Sequence, residues 1–312
     1  MGQRPAIDEG RHEPGVAPDW SEHWSFDVSR EDGTGAFVRL GLHPRGRTWY
    51  WGYVVQPERG PVVVRDHELP GPRRSLEVKG ESFWCDLACE SPFDHWTVGL
   101  ETYGVRLDDP ADAYRGEMGE RLPVGLDLEW EARTPVFDQP PAPGDVTGYA
   151  QAGVVHGEIL LGSEVIELEG RGDRTHSWGV HDWGAAGWHR VAFQVDDLFA
   201  LHVRSEGGDA SGAWWTPGEG LVVATTVEIE TGAGDGRSAP VRYRLDGTVI
   251  GVEVVASVPV PAGGGAPGST SPPGPGRGWL TRALCRFETP RGTGTGWAEW
   301  LGTEAGRGRV PG

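Results

Sequence analysis

The stretch Val124-Gly-Leu-Asp-Leu-Glu-Trp-Glu131 sets the fold class. Val124, Leu126, Leu128 and Trp130 alternate with Gly125, Asp127, Glu129 and Glu131, so one face is apolar and the other polar. Successive side chains of an extended chain point to opposite faces, so this alternation reads as a half-buried antiparallel strand. Similar runs recur, among them Phe37–Leu42, Thr48–Val55, Trp96–Leu107, Val154–Leu160, Val165–Glu169, Phe199–Arg204, Val249–Val260, Leu280–Phe287 and Gly294–Gly302. Short turns such as Gly162-Ser163 and Asp196-Asp197 separate them and read as hairpin loops. Only Pro110–Gly119 suits a short helix. The expected class is all-β, sandwich or barrel, with little helix.

At 312 residues the chain has room for two β domains. Residues 1–17 are polar and rich in Gly and Pro, and read as a flexible leader. The N-terminal domain is expected at 18–134 and the C-terminal domain at 146–312. A Pro-rich linker at 135–145 separates them, because prolines at that density oppose ladder pairing. A second Pro/Gly/Ser-rich stretch, 261–278, reads as a mobile loop inside the second domain.

The formal net charge of -18 argues against nucleic acids and anionic membranes as partners, since both demand clustered positive charge. No apolar run reaches the roughly 20 residues of a membrane span, and the leader lacks the apolar core of a secretory signal. A cytoplasmic protein is expected. Cys85, Cys89 and Cys285 match no zinc-ribbon spacing and read as free thiols. Lys79 is the only lysine, so a Schiff base would rest on it alone and a phosphate-binding P-loop is absent.

Chemistry concentrates in Gly170–His189, which carries His176, His181, Asp182 and His189 among Trp178, Trp183, Trp188 and several glycines. Polar titratable groups interleaved with aromatic faces suit a pocket wall. The His and Asp spacing matches no standard metal motif, so no metal is expected. His176 and Asp182 are candidates for acid–base work, since burial among aromatics shifts proton affinities. The alternative is structural: these groups satisfy a buried turn and the tryptophans are core. The chain has 15 tryptophans. Such a surplus of indoles suits a cavity for a large apolar ligand or for a carbocation, while β-core packing is the plainer account.

Several of these residues fall into a known pattern. Tyr149-Ala-Gln-Ala-Gly153, Gly157-Glu-Ile, Gly170-x-Gly172 and Arg174-Thr-His-Ser-Trp-Gly-Val-His-Asp-Trp183 resemble the signature of a two-domain lipocalin-like family. It includes carotenoid 1,2-hydratases of the hydroxyneurosporene synthase type, AttH-like proteins and lipocalin-like Diels–Alderases. The closing Gly294-Thr-Gly296-Trp-Ala-Glu299 is similar to the family's last strand. The resemblance implies two packed antiparallel lipocalin-like β units and an apolar ligand of terpenoid or polyene type. It also implies chemistry without a cofactor, either hydration or cyclisation. On the segment and the indole surplus together, His176, Asp182 and Glu299 are expected in catalysis, and Trp178, His181, Trp183, Trp188 and Trp297 at the substrate. Thr175 and His181 depart from the family pattern, standing where it has Asp and Arg. The alternative function is a non-catalytic carrier of a lipid or isoprenoid, which would use the same pocket only to hold its ligand.

Overall fold

The structure, a computed structural model, describes residues 4–18, 20–43, 46–114, 119–139, 146–181, 189–206, 209–232, 239–260 and 279–302. These form twenty strands and two short 3-10 turns, Ala6–Glu9 and Pro110–Tyr114, the second within the stretch expected to be helical. The architecture is all-β and antiparallel, with two curled sheets.

The first sheet comprises β1 (Trp20–Ser29), β2 (Gly35–His43), β3 (Arg47–Val55), β4 (Val62–Pro70), β5 (Val78–Gly80), β6 (Phe83–Ser91), β7 (His95–Leu107), β8 (Gly119–Ala132), β9 (Phe137–Asp138), β10 (Thr147–Leu161) and β11 (Glu164–Val180). Its order is β4-β3-β2-β1-β11-β10-β8-β7-β6-β5, and β4 also pairs with β7, closing a ring of strands. The alternation read at 124–131 falls on β8, where Val124, Leu126, Leu128 and Trp130 are buried. With Trp24, Phe26, Leu40, Trp96, Leu100 and Ile159 they fill the barrel. A small closed barrel is just wide enough for its own side chains. A gap of about 10 Å³ beside Phe26, Val38, Val98 and Trp130 is too small for a ligand.

The second sheet comprises β12 (His189–Val195), β13 (Phe199–Glu206), β14 (Asp209–Thr216), β15 (Gly220–Val223), β16 (Val227–Thr231), β17 (Pro240–Leu245), β18 (Thr248–Val260), β19 (Trp279–Thr289) and β20 (Gly292–Gly302). Its order is β15-β14-β13-β12-β20-β19-β18-β17-β16. Its own core gathers Val191, Phe193, Leu201, Tyr243, Phe287 and Trp300, with Phe193 and Phe287 stacked at 4.2 Å.

Strands on both sides of the Pro-rich stretch 135–145 pair in the first sheet, β8 with β10, and the chain passes to the second sheet only after Val180. Prolines mark where pairing stops, not which sheet resumes it. The stretch 261–278 lies outside the described residues. The described part of the expected leader is tied down: Glu9 is buried, and Arg4 pairs with Asp8 and Asp138.

The two sheets meet through an apolar patch in which Phe37, Trp49, Trp51, Tyr53 and Leu107 pack on Val258, Leu280, Leu284 and Trp297. Gln194 of β12 donates from one amide nitrogen to the Gly153 carbonyl at 2.9 Å and the Gly172 carbonyl at 2.7 Å, clasping β10 and β11. Gly172 is required where β11 crosses β1, because a Cβ there would sit 2.3 Å from the Asp27 carbonyl oxygen.

Candidate functional site

Strand β11 decides where the chemistry goes. It lies between β1 and β10, with His176 opposite Trp24 and Tyr149, and Thr175 opposite Ser25 and Ala150. Alternation sends Arg174, His176 and Trp178 into the barrel end and Asp173, Thr175 and Ser177 toward the second sheet.

At the barrel end, residues of the N-terminal segment complete the contacts. Glu9 accepts from Arg174 Nη2 at 2.7 Å, from the Tyr149 hydroxyl at 2.6 Å and from Trp96 Nε1 at 2.7 Å. Burial works against its charge, but Arg174 and these donors outweigh burial and hold its carboxyl below the ordinary range. Arg174 also donates to Gln151 and lies over the faces of Trp130 and Tyr149, at 5.1 and 5.2 Å. His176 is fully buried. Its Nε2 lies 2.9 Å from Glu22 Oε1 and its Nδ1 lies 2.8 Å from the Asp8 carbonyl. Burial lowers its proton affinity, with Glu22 opposing. Trp178 is half-buried and stacks on His12 at 3.7 Å.

The opposite face opens into a polar chamber between the sheets. Glu299 of β20 accepts from Arg39 at 2.8 Å and Arg282 at 3.2 Å. Burial disfavours its charge, yet Arg39, Arg282 and Arg190 overcome this and press it down to about 2, so it stays a carboxylate. Asp27 accepts from Arg282 Nη2 at 2.5 Å and from the Asp173 backbone N–H at 2.9 Å. Burial raises it to about 7, with Arg282 opposing and the Asp173 charge adding to the rise. Asp173 is paired with Arg190 at 3.5 Å and lies 2.9 Å from His202 Nε2, with no aligned hydrogen bond to either of its oxygens.

Arg39 and Arg190 of this cluster also line a cavity of about 20 Å³, together with His23, Ser25, Thr175, Ser177, His181 and Arg204. That volume holds about one water molecule. His181 Nδ1 lies 3.0 Å from Ser21 Oγ and its Nε2 lies 3.2 Å from Ser177 Oγ, while His23 Nε2 reaches Ser21 Oγ at 2.9 Å. Burial drops His181 to about 3 and His23 well below its usual value, so both rings are neutral.

The residues singled out in the sequence therefore divide. His176 and Trp178 share the barrel end. His181 and Glu299 border the chamber, and Trp297 packs in the inter-sheet patch, donating from Nε1 to the Val28 carbonyl at 3.1 Å. Asp182, Trp183 and Trp188 lie outside the described residues. Sequence reasoning missed Glu9, His12 and Glu22 at the barrel end, and Asp27, Arg39, Asp173, Arg190 and Arg282 in the chamber. For Arg39 a signal existed: a charge at a buried position within the apolar run Phe37–Leu42. The three cysteines are free, and burial lifts Cys85 and Cys285 to about 12, which leaves them inert as thiols. None of the described helices is long and apolar enough to cross a membrane.

Comparison with known proteins adds the following. The model of a family described as a domain of unknown function (DUF7064) matches residues 5–304. No curated protein matches the chain. Among solved structures, an AttH-type protein from Nitrosomonas europaea shares the fold at a TM-score of 0.60 and 14% identity, covering 92% of this chain and 94% of that one. Kievitone hydratase from Nectria haematococca is similar at a TM-score of 0.55 and 11% identity, covering 90% of this chain and 88% of that one. At these identities the likeness is one of fold.

Proposed function

We propose that the chain, which belongs to the DUF7064 family, is an enzyme of hydratase or cyclase type acting on an apolar unsaturated small molecule of terpenoid or polyene class. The reaction begins with a proton delivered to a carbon–carbon double bond. The resulting cation is then captured by water or closes a ring, in each case with loss of a proton.

The observation that carries this reading is the buried charge cluster between the sheets, in which burial raises the Asp27 carboxyl to about 7 and two arginines of the cluster, Arg39 and Arg190, line a water-sized cavity. Alkene protonation needs a donor still protonated at working pH and surroundings that exclude bulk water. Asp27 fits the donor, and Asp173, whose backbone N–H binds Asp27 and whose carboxylate lies between Arg190 and His202, fits the group that takes a proton back. The hydroxyls of Ser25, Thr175 and Ser177 and the neutral His181 suit the holding of one water. Glu299, kept ionised, offsets the charge of the arginines and of a passing cation. This places the acid at Asp27 rather than His176, which faces away from the chamber, and it gives Thr175 a role without a carboxyl. Asp182, Trp183 and Trp188 lie outside the described residues, and the reading does not rest on them. The name of one fold neighbour, a hydratase, agrees with the reading. The filled first barrel has no room for an apolar ligand inside it, so enzyme and carrier alike would hold theirs outside it. The free thiols suit the reducing cytoplasm.

The test is mass spectrometry of small molecules extracted from the purified protein and then returned to it. A hydratase adds the mass of water, a cyclase leaves the mass unchanged with an altered skeleton, and a carrier returns its ligand intact. Asp27→Asn is expected to lower turnover by about 10²–10⁴-fold with the circular dichroism unchanged. Undiminished turnover in that variant would remove Asp27 from the mechanism.

A further inference from the structure

The N-terminal segment lays His12 against the two barrel strands that carry Glu22 and His176. His12 Nδ1 lies 2.7 Å from Glu22 Oε1, and His176 Nε2 lies 2.9 Å from the same oxygen. The three ligand atoms are all within 4.8 Å of one another. We propose that His12, Glu22 and His176 form a binding site for a divalent transition-metal ion, zinc(II) foremost, which fastens the N-terminal segment across the end of the barrel. This goes beyond the proposed function, since the chamber lies on the other face of β11.

Three observations carry the proposal. The first is the donor set. Two imidazole nitrogens and one carboxylate oxygen are ordinary zinc ligands, leaving one position for water. His12 is the ligand nearest solvent, with 23% of its side chain exposed, so an ion has a way in.

The second is the hydrogen inventory of His176. Its Nδ1 faces the Asp8 carbonyl at 2.8 Å, and a carbonyl only accepts, so Nδ1 carries the hydrogen. In a neutral ring Nε2 then presents a lone pair to the Glu22 carboxylate, and two lone pairs confront each other at 2.9 Å. A cation between them turns that repulsion into two bonds. An N–H held by a backbone carbonyl behind the ligating nitrogen is also how proteins aim a metal-binding histidine.

The third is the support around the other ligands. The His12 backbone N–H reaches both Glu22 oxygens at 3.1 Å. Its Nε2 lies 4.0 Å from Asp8 Oδ1, and its ring is braced on Trp178. Bonds of about 2.0–2.1 Å in tetrahedral array set ligand atoms roughly 3.3 Å apart, so each imidazole nitrogen withdraws about half an ångström from Glu22 Oε1 while the two nitrogens, within 4.8 Å of each other, settle to the same spacing. The ligands are too far apart in the chain for any spacing motif to expose them.

The experiment uses the full chain stripped by chelator and titrated with zinc chloride alone, followed by calorimetry and by metal analysis after gel filtration. The expected result is one zinc per chain, a raised melting temperature and slower proteolysis within residues 4–18. Cobalt(II) in place of zinc should give the visible bands of a four-coordinate site. His12→Ala, a change at the most exposed ligand, should fold without metal and lose at least about tenfold in zinc affinity. No stoichiometric zinc on the unaltered chain, or equal affinity in His12→Ala, overturns the proposal.

Discussion

The two faces of β11 carry similar residue types under opposite conditions. Toward the barrel, Glu9 and Arg174 form a pair in which the carboxylate also takes hydrogen bonds from Tyr149 and Trp96. Toward the second sheet, Arg39, Arg190 and Arg282 share Asp27, Asp173 and Glu299, no aligned hydrogen bond reaches the Asp173 oxygens, and burial raises Asp27 to about 7. A buried charge with all its partners rigidifies a structure, whereas an incompletely satisfied group stores free energy for other uses. The difference teaches that the ordered pair is architecture and that the pooled charges are where chemistry is to be sought.

The sharpest way to break this comparison is at Glu299. Glu299→Leu leaves Arg39 and Arg282 buried without their shared carboxylate and is expected to cost about 3–5 kcal/mol in urea unfolding. Asp27→Asn, by contrast, should cost less at neutral pH, because burial already raises the Asp27 carboxyl toward its neutral form and an amide oxygen still accepts from Arg282. Equal losses in the two variants would mean that the chamber is as conventionally paired as the barrel end.

Next is Glu9→Gln, expected to cost about 1–3 kcal/mol by weakening its bonds to Arg174, Tyr149 and Trp96. The loss should be local: cleavage within residues 4–18 accelerates more than global unfolding does.

The pH dependence should run in opposite senses on the two faces. Glu9 has a lowered folded value, so its contribution is present above its ordinary 4.5 and is lost as pH falls through the lowered one. Asp27 has a raised value, so between its ordinary 3.8 and about 7 the folded state binds more protons than the unfolded, and stability declines as pH rises through that window. Melting curves of Glu9→Gln and Asp27→Asn across pH 3–8 should each flatten one of these slopes (roughly, one variant per limb). A single variant that flattens both would merge the two faces into one network. The smallest effect is that of Trp178→Ala, about 0.5–1.5 kcal/mol from the lost stack on His12.

Much of this was legible in the amino-acid order. The period-2 run at β8 predicts its buried face residue by residue, and Tyr149, Arg174 and His176 stand in the motif that resembles the lipocalin-like family. The same period implies that Thr175 and His176 diverge, although the motif presents them as neighbours in one site. Partner choice was not legible. Which strands follow the prolines into which sheet, and that His12 would meet His176, depend on closure of the whole barrel and leave no local trace. The indole surplus drew attention to a cavity, but Trp24, Trp96 and Trp130 fill the barrel instead.

The Gly172 crossing and the strict alternation after it have a consequence for inheritance. Between Arg171 and Asp173 a single inserted or deleted residue would turn the following strand over, sending Arg174 and His176 to the chamber and Asp173 and Thr175 into the barrel. Single substitutions along this strand therefore keep every other side chain on its own face, while a change of length there does not.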